Sequence, residues 1–194
     1  AVETVRIDGV PNYFGEQRFG RQGRNIDKAT AMFGSTRRMD RQQRSLYLSA
    51  ARSYLFNYIL SLRVAQGNWS DGLPGELLML AGSRSFFHSD EIDKTLRQRL
   101  SVHDIHPSIP LWGRGALQST GEAFELESCL PVEFPVLTAG LEAAGLRQQR
   151  RASRLIAQQL EFEWLDDSTA RICFTLERGS FATVVLRELL QYSE

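Results

Sequence analysis

Gly9-Val10-Pro11-Asn12-Tyr13-Phe14-Gly15-Glu16-Gln17-Arg18-Phe19-Gly20 brings three glycines, a proline, three aromatics and an arginine into twelve residues. Its apolar positions follow neither the period of a helix nor that of a strand, so the stretch reads as an ordered loop. Glycine belongs where such a backbone must turn or be approached closely. Rings beside an amide and a guanidinium suit a flat, hydrogen-bonding ligand next to a phosphate, and an RNA base is such a ligand. The same rings would also serve to plug a core, and spacing does not choose between the two.

Outward from this loop, residues 25–33 read as a short helix ending near Gly34, and residues 39–65 as a longer one. In the longer helix Tyr47, Ala51, Tyr54, Leu55, Tyr58, Ile59 and Leu62 share one face. Arg37, Arg38, Arg41 and Arg44 crowd its start, with Arg52 further along. Cations there oppose the helix dipole, a conflict that a nearby anion relieves and that a solvated surface also tolerates. Residues 67–75 read as a loop, and residues 77–80 and 85–88 as short strands around Gly82-Ser83-Arg84. Asp90 is the expected cap of a helix reaching Leu100. Residues 103–115 contain two prolines and two glycines and are expected to be irregular.

Two further helices are expected over 121–129 and 134–144, the second ending at Gly145, followed by a basic connector over 149–154. The strongest supersecondary signal comes last. Leu160, Phe162 and Trp164 alternate with polar residues, as do Ile172, Phe174 and Leu176, with Asp166-Asp167-Ser168-Thr169 as a turn between them. A helix over 181–190 follows, with Ser180 as its expected N-cap. The fold class is therefore α+β.

At 194 residues, 42% hydrophobic and 24% charged, the chain has the composition of a globular protein with a sizeable core. No run approaches the roughly 20 apolar residues of a membrane span, and Ala1-Val2-Glu3-Thr4-Val5-Arg6 has no secretory signal character. The absence of an initiator Met reads as a fragment or a processed product. Cys129 and Cys173, in no CxxC pattern, read as small buried hydrophobes in a reduced, cytoplasmic setting. Net charge is zero, but residues 1–63 carry eleven basic against five acidic groups, +6, and the remainder carries −6. Lys28 and Lys94 are the only lysines. Arginine forks onto phosphates and stacks on bases, which favours an RNA-facing N-terminal third. Codon bias would explain the arginine preference, though less well its segregation.

No P-loop, GxGxxG or GxSxG occurs. His103 and His106 lie among prolines without a third ligand, so no metal site is expected. Asp90-Glu91 and Asp166-Asp167 fall where acids serve helix starts and turns. From the residues alone, the chain is an RNA-facing α+β protein without a complete catalytic set.

Three segments resemble one family in order. Asn12-Tyr13-Phe14-Gly15-Glu16-Gln17-Arg18-Phe19-Gly20 is similar to the NYFGxQRFG signature of the TruD family of tRNA pseudouridine synthases. Ser49-Ala50-Ala51-Arg52-Ser53-Tyr54-Leu55-Phe56-Asn57 resembles its LSAxRSxLFN helix. Gly179-Ser180-Phe181-Ala182-Thr183 with Leu186-Arg187-Glu188-Leu189 resembles its GSxAT…REL ending. Residues 64–150 match only in general character.

The resemblance implies a cofactor-free isomerisation of uridine 13 in the tRNA D arm to pseudouridine, with uracil detached from ribose and rejoined through carbon. It implies part of a synthase catalytic core over residues 1–37 and 153–194, and an inserted α/β TRUD domain over 38–152. Asn12 would hydrogen-bond the target nucleotide, and Phe14 and Phe181 would line the uracil pocket. Arg18, Arg21 and Arg24 would pair with phosphates, as would Arg37, Arg38, Arg41 and Arg44 across a cleft; Gln17 and Arg18 serve equally as braces of the loop. The family nucleophile is an aspartate in a Lys-Asp segment upstream of NYFG, which this chain lacks; Asp8, in Arg6-Ile7-Asp8-Gly9, does not match it. The partners expected are thus tRNA and an N-terminal catalytic segment of the same protein, with no activity from this chain alone. The alternatives are a non-catalytic RNA-binding module and a structural or protein-interaction domain.

Overall fold

The computed structural model describes residues 1–36 and 38–190. Helix α1 (Val2–Asp8) stops at Gly9, whose φ of +74° suits glycine and whose missing Cβ would lie 2.5 Å from the Leu155 carbonyl oxygen. Strand β1 (Val10–Pro11) follows, then the aromatic loop, in which Glu16–Arg18 and Arg21–Gly23 form single 3-10 turns. Helix α2 (Arg24–Phe33) and the 25-residue α3 (Arg41–Ala65) come next. Asp40 rather than Met39 opens α3, its carboxylate accepting from the Gln42 and Gln43 amides at 2.9 and 3.2 Å.

Strands β2 (Glu76–Leu80) and β3 (Phe86–Ser89) make the expected hairpin. Helix α4 (Lys94–Ser101) is capped by Asp93, not Asp90: Asp93 Oδ1 accepts from the Leu96 amide, whereas the Asp90 carbonyl receives the Gly75 amide. The segment expected to be irregular contains strand β4 (Ile105–Leu111). It ladders with β2 over 105–107 and with the 149–152 segment over 108–111, so its prolines flank a change of partner. Proline is tolerated where a strand is open on one side. Between them, the Ser108 amide donates to Glu76 Oε1.

The helix expected over 121–129 ends earlier. Helix α5 (Gly121–Glu127) gives way to α6 (Leu130–Glu133) and α7 (Pro135–Ala143), the latter two with a proline in their first turn, where its missing N–H has no partner to lose. The expected basic connector is instead β5 (Gln149–Ala152) and β6 (Arg154–Leu155). Its arginines find partners far off in sequence, and backbone pairing to β4 does not depend on apolar alternation. Strands β7 (Gln158–Trp164) and β8 (Ala170–Thr175) form the expected antiparallel hairpin. Cys173 is exposed on β8 and Cys129 half-buried, so neither is the core residue expected. Helix α8 (Ala182–Leu189) has Phe181 at its N-cap, without a side-chain cap, so Ser180 does not serve as one.

The sheet order is β3-β2-β4-β5, with β1-β6 and β7-β8 as separate pairs. One apolar core unites α2, α3, α7 and β4 around Leu55, Phe56, Ile59, Ile109 and Leu141. A second unites α1, β1, β6, β7 and α8 around Val5, Val10, Leu155, Leu160 and Val185. Tyr13 packs against both. The aromatic loop therefore lies at the seam of two cores. Among the described residues, no helix is long and apolar enough to cross a membrane.

Candidate functional site

The loop leaves β1 at Asn12, whose backbone amide donates to the Ser153 carbonyl at 2.7 Å. Its side chain is 6% exposed; Nδ2 donates to the Ala152 carbonyl at 2.9 Å and Oδ1 accepts from Arg151 Nη2 at 2.5 Å. Phe14 is held next by an amide clamp. Its N–H donates to Asn57 Oδ1 at 2.9 Å, and Asn57 Nδ2 donates back to its carbonyl at 3.0 Å. The loop backbone is thereby paired by a side chain of α3 as a neighbouring strand would pair it.

The Phe14 ring meets Phe56 edge-on at 5.3 Å between centroids and Phe181 at 5.9 Å. Phe56 belongs to the first core, while Phe181 packs against the second. Two guanidiniums converge on the Phe14 ring. Arg18 Cζ lies 5.6 Å from the Phe14 centroid and 5.7 Å from that of Phe181, with Nη1 donating to Ser49 Oγ at 2.9 Å. Arg151 Cζ lies 4.3 Å from the Phe14 centroid, and its Nη1 donates to the Gly179 carbonyl at 3.1 Å.

Arg151 is electrostatically strained. Its Nε is buried without a hydrogen-bond partner. Burial first, and then the charge of Arg18, push its pKa down to about 10, against an upward pull from Glu177. It stays charged at neutral pH. Among the described residues neither Arg18 nor Arg151 forms an ion pair with a carboxylate. Two like charges over aromatic faces are best satisfied by an incoming anion, and the rings favour one that carries a flat group.

Asn12, Phe14, Phe181 and Arg18 are thus brought together. Arg21, on the turn that follows, and Arg24, at the start of α2, lie exposed. Arg38, just before α3, and Arg41 and Arg44 in its first turn are exposed; at 1.5 Å per residue, Arg44 is about 18 Å along the axis from Phe56. Arg37 lies outside the described residues. Gln17 is exposed. Asp8 ends α1 elsewhere, lining a cavity with His103 and Arg154. His106 Nδ1 faces Arg154 Nε at 3.1 Å, and among the described residues no three His, Cys, Asp or Glu side chains gather as metal ligands.

Two members of the site lay outside the sequence reading of it. Asn57 closes a segment noted for its resemblance but carries no intrinsic mark of a loop clamp. Arg151 sits in a run read as a connector, and no periodicity points to it.

A family model described as tRNA pseudouridine synthase D (TruD) matches residues 24–189. Curated proteins named tRNA pseudouridine synthase D from Xanthomonas axonopodis pv. citri and Hydrogenovibrio crunogenus are 48% and 47% identical over 97% and 98% of this chain. The chain spans 55% of the length of each, about half. A solved structure titled putative TruD from Methanosarcina mazei aligns with a TM-score of 0.71 at 20% identity, covering 96% of this chain and 62% of its own, and shares its fold.

Proposed function

The chain belongs to the tRNA pseudouridine synthase D (TruD) family, and from that premise we propose that its Phe14–Phe181 site grips an extruded uridine of tRNA, in a polypeptide that converts uridine 13 of the D arm to pseudouridine. The observation that carries this reading is the meeting of two rings, two guanidiniums without a carboxylate partner among the described residues, and a buried amide at the seam of two cores. A uridine inside a helix must leave its stack to be reached, and a flipped base is held by aromatic faces and directed hydrogen bonds. Detached uracil must then stay close while it turns to present carbon, which confinement against the rings favours. Phe14 and Phe181 hold the base; Arg18 and Arg151 take the charge of the adjoining backbone. Asn12, buried with both amide atoms engaged, does not reach the nucleotide as its resemblance implied; it sets the Arg151 guanidinium beside the rings.

The reading carries a division of the chain with it. Residues 1–37 and 153–194 form part of the catalytic core, and 38–152 the inserted domain, with α2 crossing the boundary to pack on α3. The nucleophilic carboxylate comes from sequence outside these 194 residues, and the enzyme acts in the cytoplasm without a cofactor. The test is to incubate tRNA transcript with residues 1–194 and with the polypeptide at its relatives' full length, then map pseudouridine. The expected result is modification at position 13 by the longer form only. A full-length form that modifies no uridine, or modifies tRNA equally well with Phe181→Ala, overturns the reading.

A further inference from the structure

We propose that a second cavity, sharing the loop with the first site, takes an unpaired nucleobase of the RNA strand next to the extruded uridine. The proposal rests on the reading above only in that RNA is already engaged at Phe14–Phe181. The cavity measures about 620 Å³ and is lined by Tyr13, Phe19, Tyr54 and Tyr58, with Ile26 and Arg187. That is the size of a small-ligand site. All four rings are half-buried, and none belongs to the uridine site.

The rings are held in fixed orientations by edge-on contacts: Phe19 with Tyr54 at 6.4 Å, and Tyr54 and Tyr58 with Phe134 at 5.4 and 4.8 Å. Arg187 Cζ lies 5.3 Å from the Tyr13 centroid. Arg21 and Arg24 stand exposed on either side of the lining residues Gln22 and Gly23, without a carboxylate partner among the described residues. Glu16 is the only acid among the lining residues.

This chemistry selects the occupant. An apolar helix laid here would desolvate Gln22, three tyrosine hydroxyls and the Arg187–Glu188 pair at 3.7 Å without adding a partner to any of them. A nucleobase has a π-face for the rings and polar edges for the hydroxyls and amide, and its phosphate meets the cations at the rim. Covalent and hydrogen-bonded continuity joins the two sites. Tyr13 and Phe14 are consecutive, and Asn57 lines the second cavity while clamping the Phe14 backbone. Helix α8 contributes Arg187 to this cavity, and its N-cap Phe181 belongs to the uridine site. Drawing one base out of a stack leaves its neighbour unstacked, and a second ring-lined cavity would catch it.

The experiment is a cycle between protein and RNA, using the full-length polypeptide. Transcripts carry a single abasic site at each position around the target uridine in turn, and are titrated against the parent, Phe19→Leu, Tyr13→Leu and Arg187→Gln. Stacking of one base predicts that Phe19→Leu and Tyr13→Leu weaken binding of intact tRNA about tenfold. One abasic position beside the target should abolish that difference, while an abasic site at the target itself should leave it in place. Arg187→Gln, an exposed change that spares the core, should lower the salt slope of binding by about one. The proposal is overturned if no abasic position removes the effect, or if the variants bind as the parent does. It is equally overturned if they only lower the urea midpoint, which would mark the cavity as covered by protein. A failure of the first reading looks different: binding would then be indifferent to Phe181→Leu and to an abasic target.

Discussion

The Asn12 amide is engaged on both atoms, to Arg151 and to the Ala152 carbonyl, and the side chain is almost wholly buried. Asn12→Ala would leave a charged donor and a carbonyl without partners in that environment. The expected loss is about 2–3 kcal/mol of stability, read from urea unfolding. Phe181 differs: its ring is half-buried, and its carbonyl accepts from the Val184 amide whatever the side chain. Phe181→Ala should cost roughly 5- to 150-fold in tRNA modification by the full-length form, the worth of one base stacked on a ring, with a smaller shift in unfolding midpoint. His106 supplies a pH-dependent prediction. Burial, and after it the charge of Arg154, lower its pKa to about 4 from the ordinary 6.5. The folded protein therefore refuses a proton that the unfolded chain accepts between those values, so stability is full above pH 6.5 and falls as pH drops toward 4. The contribution at stake is on the order of 3 kcal/mol. His106→Gln should lose correspondingly less than the parent between pH 7 and 4.5 in urea midpoints.

At the scale of elements, the far end of α3 is anchored by a buried ion pair. Arg63 and Glu76 are 2% and 0% exposed and meet at 2.6 Å. The remaining Arg63 donors reach the Asn68 and Asp71 carbonyls, and Glu76 Oε2 accepts from the Leu73 amide. Helix, loop and β2 are tied at one point. Breaking such a pair from one side strands the other charge, so Glu76→Gln should destabilise by about 3–5 kcal/mol, measurable by thermal unfolding. Glu127 and Arg150 perform the same service between α5 and β5, at 2.7 Å. These pairs explain why β5 escaped a reading by hydrophobic pattern. Its Gln149-Arg150-Arg151-Ala152 sequence looks solvated until Glu127 and Asn12 are brought to it.

Over the whole molecule, the excess of six positive charges in residues 1–63 is less available to RNA than the count implies. Arg63 is consumed by Glu76, and Arg52 by the Leu111 and Arg147 carbonyls and Gln149. Arg38, Arg41 and Arg44 remain exposed, away from the Phe14 site. If they line the path of the tRNA backbone, replacing all three with Gln should reduce the slope of log affinity against log salt by about 2–3. An unchanged slope would remove them from the interface.

Local pattern was enough for the α+β class, for α3 and its apolar face, for the β2–β3 and β7–β8 hairpins and for the loop as a loop, because each of these is written in neighbouring residues as a period or its absence. Resemblance added Asn12, Phe14 and Phe181. Tertiary structure alone decided that β4 runs through its prolines, that Asp93 and not Asp90 caps α4, and that Arg151 and Asn57 complete the site. Those features depend on partners more than forty residues away in several cases, such as Phe14 with Asn57 and Asn12 with Arg151. A buried charge or amide takes its meaning from the atoms that replace water around it, and only the folded chain supplies them.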